Sequence, residues 1–155
     1  MVSITEGILA PSIMPLITFI IGGAISFSTG TSYGTIAVLM PIVMPIVYNV
    51  SISAGIDPLT FVFPTIGAVL AGAIFGDHCS PISDTTIMSS MFTGSDHIDH
   101  VKTQIPYAIL AGIGTLVGYI GVALRIPSVI NILVGVLVAI IIFKFISRPI
   151  NIIED

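Results

Sequence analysis

Two aspartates and a cluster of hydroxyls stand in the stretch Gly76-Asp-His-Cys-Ser-Pro-Ile-Ser-Asp-Thr-Thr86, directly after an apolar segment. Asp77 and Asp84 are seven residues apart, so an unbroken helix would set both on one face, two turns apart. Pro81 opposes that helix, because it lacks an N–H and its ring clashes with the carbonyl four residues back, that of Asp77. The pattern predicts a helix, an unwound link, and a second helix starting near Asp84 as its N-cap. Unwinding frees carbonyl oxygens beside the two carboxylates and the hydroxyls of Ser80, Ser83, Thr85 and Thr86. Hard cations are held by that mixture of oxygens. An aspartate at a helix centre costs about 2.5–3.5 kcal/mol on insertion scales, so it needs a partner or a purpose. The plainer reading puts Asp77 at the membrane exit and Asp84 in water as an ordinary cap.

A second polar break, Ser28-Thr-Gly-Thr-Ser-Tyr-Gly-Thr35, interrupts the long uncharged run between Glu6 and Asp57. Gly30 supplies a permissive backbone position, and Ser28, Thr29, Thr31 and Ser32 supply further oxygen ligands. Non-helical backbone survives at membrane depth only against protein or water. The break is therefore read either as the tip of a re-entrant hairpin or as a surface loop between two full spans. His78, beside Asp77, is a candidate proton relay, with a plain hydrogen-bonded neighbour as the alternative. Cys79 reads as a packing residue. His97 and His100, interleaved with Asp96 and Asp99, look like a metal patch but lack third and fourth ligands at metal spacing, so a solvated loop is the better reading.

These groups must be positioned by apolar elements. The 155 residues are 55% hydrophobic and 8% charged, with a mean hydropathy of +1.14. Soluble domains carry about a quarter charged residues, which excludes a water-soluble globule. The formal net charge of -4 leaves no electrostatic footprint for nucleic acid and no polybasic membrane anchor. The expected class is an all-α polytopic membrane protein. Apolar segments are expected at about 7–28, 33–50, 58–76, 105–124 and 126–146. Pro11 and Pro15 are expected to interrupt the first, Pro41 and Pro45 the second and Pro64 the third, with Pro106 and Pro127 at the starts of the last two. Met91 to Gln104 reads as an interfacial loop or short surface helix. Ala68, Gly72 and Gly76 repeat every four residues, as do Gly114 and Gly118, which suits close helix packing. Lys102, Lys144 and Arg148 against Arg125 place the C-terminus and the 92–104 stretch on the cytoplasmic side.

The run Ile74-Phe-Gly-Asp-His-Cys-Ser-Pro-Ile-Ser-Asp-Thr-Thr-Ile-Met-Ser-Ser90 closely resembles the signature of the NhaC-type sodium/proton antiporter family. Ser28 to Thr35 is similar to that family's hydroxyl-rich motif. The resemblance covers about residues 15–125 and is to the C-terminal part of family members. It implies an ion transporter built from two inverted repeats, each with a hairpin and a broken helix. Residues 7–50 would then be the hairpin, or paired spans, and 58–92 the discontinuous helix facing it across the ion site, with 105–146 forming two spans. On that reading the first repeat is missing, and the chain needs an N-terminal half, a complementary chain or a second copy of itself.

The expected activity is secondary transport across the plasma membrane, with no enzymatic step and no cofactor beyond the transported Na+ and H+. Sodium binds when Asp77 and Asp84 are ionised, and protons displace it. Loss of either carboxylate should then abolish or severely weaken exchange. Three other classes compete. Organic-acid (malate or lactate) and amino-acid exchangers share the resemblance, although no buried arginine is available to clamp a carboxylate. A non-transporting membrane subunit or gene remnant would fit the length. An intramembrane aspartyl protease is disfavoured, because the first glycine of its Gly-x-Gly-Asp pattern is absent at Ile74 and no Tyr-Asp pair occurs.

Overall fold

The architecture comes from a computed structural model, which describes residues 10–146. Arg148 and the first residues of the expected 7–28 segment lie outside them. The described residues form helices and no strand: α1 (Met14–Thr29), α2 (Ser32–Ser53), α3 (Leu59–Cys79), α4 (Asp84–Thr93), α5 (His97–Ala123) and α6 (Ser128–Ile146). Five helices are long and apolar enough to cross a membrane, α1 together with the 3-10 turn Pro11–Ile13 and α2, α3, α5 and α6. In hydrocarbon a helix pairs its own backbone groups, so uncharged sequence of this length folds helically.

Several prolines behave differently from expectation. Pro11 and Pro15 do not interrupt the first helix. They occupy the 3-10 turn and the first turn of α1, where an amide hydrogen would have no helical partner. Pro41, Pro45 and Pro64 lie inside α2 and α3, which run on through them. Pro106 is not at a helix start either, because α5 begins nine residues earlier, at His97. Asp96 sets that earlier start. Its Oδ1 accepts from the amides of Ile98 and Asp99 at 2.9 and 3.1 Å, which caps the helix. The 91–104 stretch is thus mostly helical, with only Gly94–Asp96 outside α4 and α5.

The core is organised by α1 and α3, which run parallel and share the most extensive contact. The Ala68, Gly72 and Gly76 stripe of α3 lies against Phe19, Gly23 and Ser26 of α1. A methyl on Gly72 would stand 2.5 Å from the Phe19 carbonyl oxygen, and one on Gly76 would meet the Gly23 carbonyl. Backbones approach this closely only where side chains are absent. The Ser26 hydroxyl donates to the Ala73 carbonyl at 2.6 Å across the same seam. At the far end from the Gly30 turn, Met14, Val47 and Phe61 form a buried apolar cluster joining the starts of α1 and α3 to the end of α2.

The last two helices form an antiparallel pair, pinched where Gly114 and Gly135 face each other's carbonyls. Lys102 and Lys144 lie toward one end of that pair and Arg125 at the other. Arg125 closes α5 with φ 58°, a left-handed conformation that an L side chain adopts at a cost. Arg125→Gly is therefore expected to stabilise the protein by about 0.5–1 kcal/mol, after the glycine's extra unfolded-state entropy is subtracted. Thermal melts in detergent followed by circular dichroism would check this, and a lower melting temperature would contradict it.

Candidate functional site

The chemistry concentrates where α3 stops. Its last residues carry Asp77 to Cys79, after which Ser80 is extended (φ -80°, ψ 126°). A short turn follows, with the Ser83 amide donating to the Ser80 carbonyl at 3.4 Å, and α4 resumes at Asp84. The interruption brackets Pro81, as the sequence predicts. The N-cap is Ser83 and not Asp84, a shift of one residue with a physical reason. Ser83 leaves the amides of α4 uncapped by its side chain and gives its hydroxyl to Asp77.

Asp77 is 2% exposed. The Ser83 hydroxyl donates to its Oδ1 and the Thr85 hydroxyl to its Oδ2, both at 2.8 Å. Ser83 Oγ and Thr85 Oγ1 are themselves 2.8 Å apart, so the three side chains form a closed triangle. Hydrogen bonds to a charged group contribute about 1.5–3 kcal/mol each. Two of them offset the roughly 2.5–3.5 kcal/mol that an aspartate costs at membrane depth. Each carboxylate oxygen keeps acceptor capacity beyond its single bond. Among the described residues the ion pair is Lys102–Asp99, on the surface, and no cationic side chain pairs with Asp77. Ser80 Oγ in the break and Thr86 Oγ1 in the first turn of α4 are buried and have no hydrogen-bond partner.

The remaining expected site residues are placed differently. Asp84 is exposed, and its Oδ1 accepts from the neighbouring Thr85 amide at 2.8 Å. It takes no part in the Asp77 triangle. His78 is exposed and donates from Nδ1 to the Ile74 carbonyl at 2.9 Å, along its own helix and away from Asp77. Thr29 donates to the Ile25 carbonyl at 2.9 Å, and Thr31 caps α2 by accepting from the Gly34 amide at 3.3 Å. Ser32 opens α2 and is half-buried. These hydroxyls close helix ends and do not reach the carboxylate.

What the first break contributes is backbone. Gly30 ends α1 in the left-handed region (φ 69°), and a Cβ there would stand 2.7 Å from the Ile82 carbonyl oxygen. Because α1 and α3 are parallel, their polar ends meet, and the Gly30 turn seats on the unwound link. A contributor that the sequence placed in a solvated loop is His97. It is half-buried, with Nε2 2.7 Å from the Pro81 carbonyl and Nδ1 3.0 Å from Ser90 Oγ. The solvated-loop reading fails for it, because α5 begins there and folds it back onto the link. No local sequence pattern joins His97 to Pro81; only the α4–α5 turn does.

A family model described as Na+/H+ antiporter family matches residues 1–124. The chain belongs to the Na+/H+ antiporter family. The match takes in both breaks and leaves out α6. Its similarity to curated proteins is consistent with this. The chain is 42% identical over 118 residues to an uncharacterized protein of Haemophilus influenzae, covering 76% of the chain and 21% of the relative. It is 36% identical over 115 residues to the Malate-2H(+)/Na(+)-lactate antiporter of Bacillus subtilis, covering 70% and 23%. Against the Na(+)/H(+) antiporter NhaC of Alkalihalophilus pseudofirmus it is 34% identical over 110 residues, covering 66% and 21%. The matched region thus spans about a fifth of the length of these relatives. No solved structure matches the chain. Family membership and five apolar spans make this Na+/H+ antiporter family member a multi-pass protein of the plasma membrane.

Proposed function

We propose that this chain carries a cation- and proton-binding site of a sodium/proton antiporter, and that Na+ and H+ compete there for Asp77. The observation that carries the reading is the buried Asp77 carboxylate, held by Ser83 and Thr85 with no cationic side chain against it. A buried carboxylate without a countercharge is costly, and either a proton or a hard cation relieves it. The unpartnered hydroxyls of Ser80 and Thr86 are oxygen ligands of the kind Na+ takes, with carbonyls of the unwound link beside them. Discontinuous helices of this form are how secondary transporters build ion sites.

In this reading the α1–α2 hairpin is re-entrant, and with the broken α3–α4 helix it makes one of two inverted repeats. Thr29, Thr31 and Ser32 then act by shaping the tip that seats on the link. Asp84, exposed beside the site, faces the side that a longer protein, a complementary chain or a second copy would close. His78 as a relay would need to turn from the Ile74 carbonyl toward that side. The reading assigns no bond-making step, and the transported ions are the substrates.

Organic-acid exchange is the second reading, favoured by the similarity to the malate/lactate antiporter. Against it, none of the described residues bonded to Asp77 is a basic group able to pair with a substrate carboxylate. The two are separated with the protein reconstituted in liposomes containing a pH-sensitive dye. An external NaCl pulse is expected to drive protons out and raise internal pH, whereas choline chloride is not. Malate or lactate counterflow without Na+-dependent proton movement would replace the reading with organic-acid exchange. Absence of both fluxes would make the chain a non-transporting membrane subunit.

A further inference from the structure

We infer that His97 is a positioning residue for the Asp77 site, clamping the unwound link through the Pro81 carbonyl. The inference rests on the cation-site reading above and adds to it a residue outside the break. A carbonyl oxygen only accepts, so the His97 Nε2 must carry the hydrogen of the 2.7 Å contact with Pro81. In the neutral ring Nδ1 is then the acceptor, and Ser90 Oγ lies 3.0 Å from it. Ser90 Oγ has one hydrogen to give, shared between Nδ1 and the Ile87 carbonyl 2.8 Å away, one turn back in α4. The imidazole therefore ties three elements together: the link at Pro81, α4 at Ser90, and α5, whose first residue it is.

The link needs such a tie. Pro81 has no N–H, and the backbone bonds of the link are two short turns, Ser80 to Asp77 at 3.1 Å and Ser83 to Ser80 at 3.4 Å. Ser80 precedes Pro81, Ser83 follows it by two residues, and the Ser83 hydroxyl holds Asp77. A shift at Pro81 therefore passes directly to the carboxylate. The Gly30 turn abuts the next residue, Ile82, so the link is contacted by both the end of α1 and His97. His97 touches the site only through backbone, which makes its role one of positioning.

Cys79, the single cysteine of the chain and 8% exposed, adjoins the link and reports on it. The test is its labelling rate with N-ethylmaleimide in membranes, in choline chloride and across a NaCl series, with the modified residue located by peptide mass mapping. Glutamine carries its amide nitrogen near the position of Nε2, and asparagine near that of Nδ1. His97→Gln should thus keep the Pro81 bond, while His97→Asn and His97→Ala lose it. In choline chloride, His97→Asn and His97→Ala are expected to label about fivefold faster than the parent, the scale of one lost hydrogen bond, and His97→Gln within about twofold. The Na+ concentration giving half-maximal change in labelling should rise by a similar factor in the first two variants. Asn and Gln differ by one methylene, so a general loss of packing would affect both, and a matched rise in both would overturn the clamp. So would parent-like rates in His97→Asn and His97→Ala. Labelling of the parent that ignores Na+ would instead count against the cation-site reading, while the choline comparison still decides His97.

Discussion

Asp77→Asn is expected to lower Na+-dependent proton exchange by at least about two orders of magnitude while leaving the helices intact. Asparagine has the shape of aspartate. Its oxygen can accept from Ser83 or Thr85, and its amide can donate to the other once that hydroxyl turns. The triangle therefore survives and only the charge is lost. Removing one partner of a buried charge pair costs about 3–5 kcal/mol, which is roughly two to three orders of magnitude in cation affinity. Asp84→Asn is expected to change exchange by about fivefold at most. Asp84 is exposed, and a charge in the first turn of a helix contributes about 0.3–1 kcal/mol. The two carboxylates look equivalent in sequence, whereas the structure separates them. Initial rates in the dye-loaded liposomes check the contrast, and equal losses in both variants would refute it.

Gly76→Ala is expected to destabilise the protein by about 3 kcal/mol, the upper range for overpacking, because its new atom meets backbone that cannot rotate away. The Gly23 carbonyl stands in its path, with the Phe27 amide nitrogen at 2.7 Å and Ser26 Cβ at 2.8 Å. Relief requires α1 to lift from α3, which stretches the 2.6 Å Ser26–Ala73 bond and unseats Gly30 from Ile82. Gly118→Ala is the control. Its nearest neighbour would be the Asn131 carbonyl at 3.8 Å, an ordinary contact, and the helix gains from the better former. The chain has no tryptophan, so circular dichroism melts in detergent are the suitable measurement. Equal melting temperatures for the two variants would contradict the close approach of α1 and α3.

Much of this was legible in the sequence where one residue type acts locally. Pro81 announces the interruption, and the helix stops at Cys79 and resumes at Asp84. The four-residue spacing of Ala68, Gly72 and Gly76 marks a packing face, because helical periodicity is a local property. Its complement on α1, Gly22 and Gly23, stands out only once the helices are docked. Prolines misled in proportion to how far their effect depends on surroundings. Pro106 looks like a helix start until Asp96, ten residues before it, is seen capping α5. Asp84 looks like the N-cap until Ser83 is seen spending its hydroxyl on Asp77. His97 on Pro81 and Gly30 on Ile82 are contacts between distant segments, and no residue pattern encodes them.

The seat of Gly30 on Ile82 also has a mechanical side. Parallel α1 and α3 are pegged at successive levels, Phe19 on Gly72, Gly23 on Gly76 and Gly30 on Ile82. At each level a backbone group fills the space that a Cβ would need, so the two helices come this close only in the present register. Shear along this seam would give up those close contacts. The α1 helix and the broken helix are thus joined along their length and at the link, so a displacement of α1 bears on the same turn that carries the Ser83 bond to Asp77.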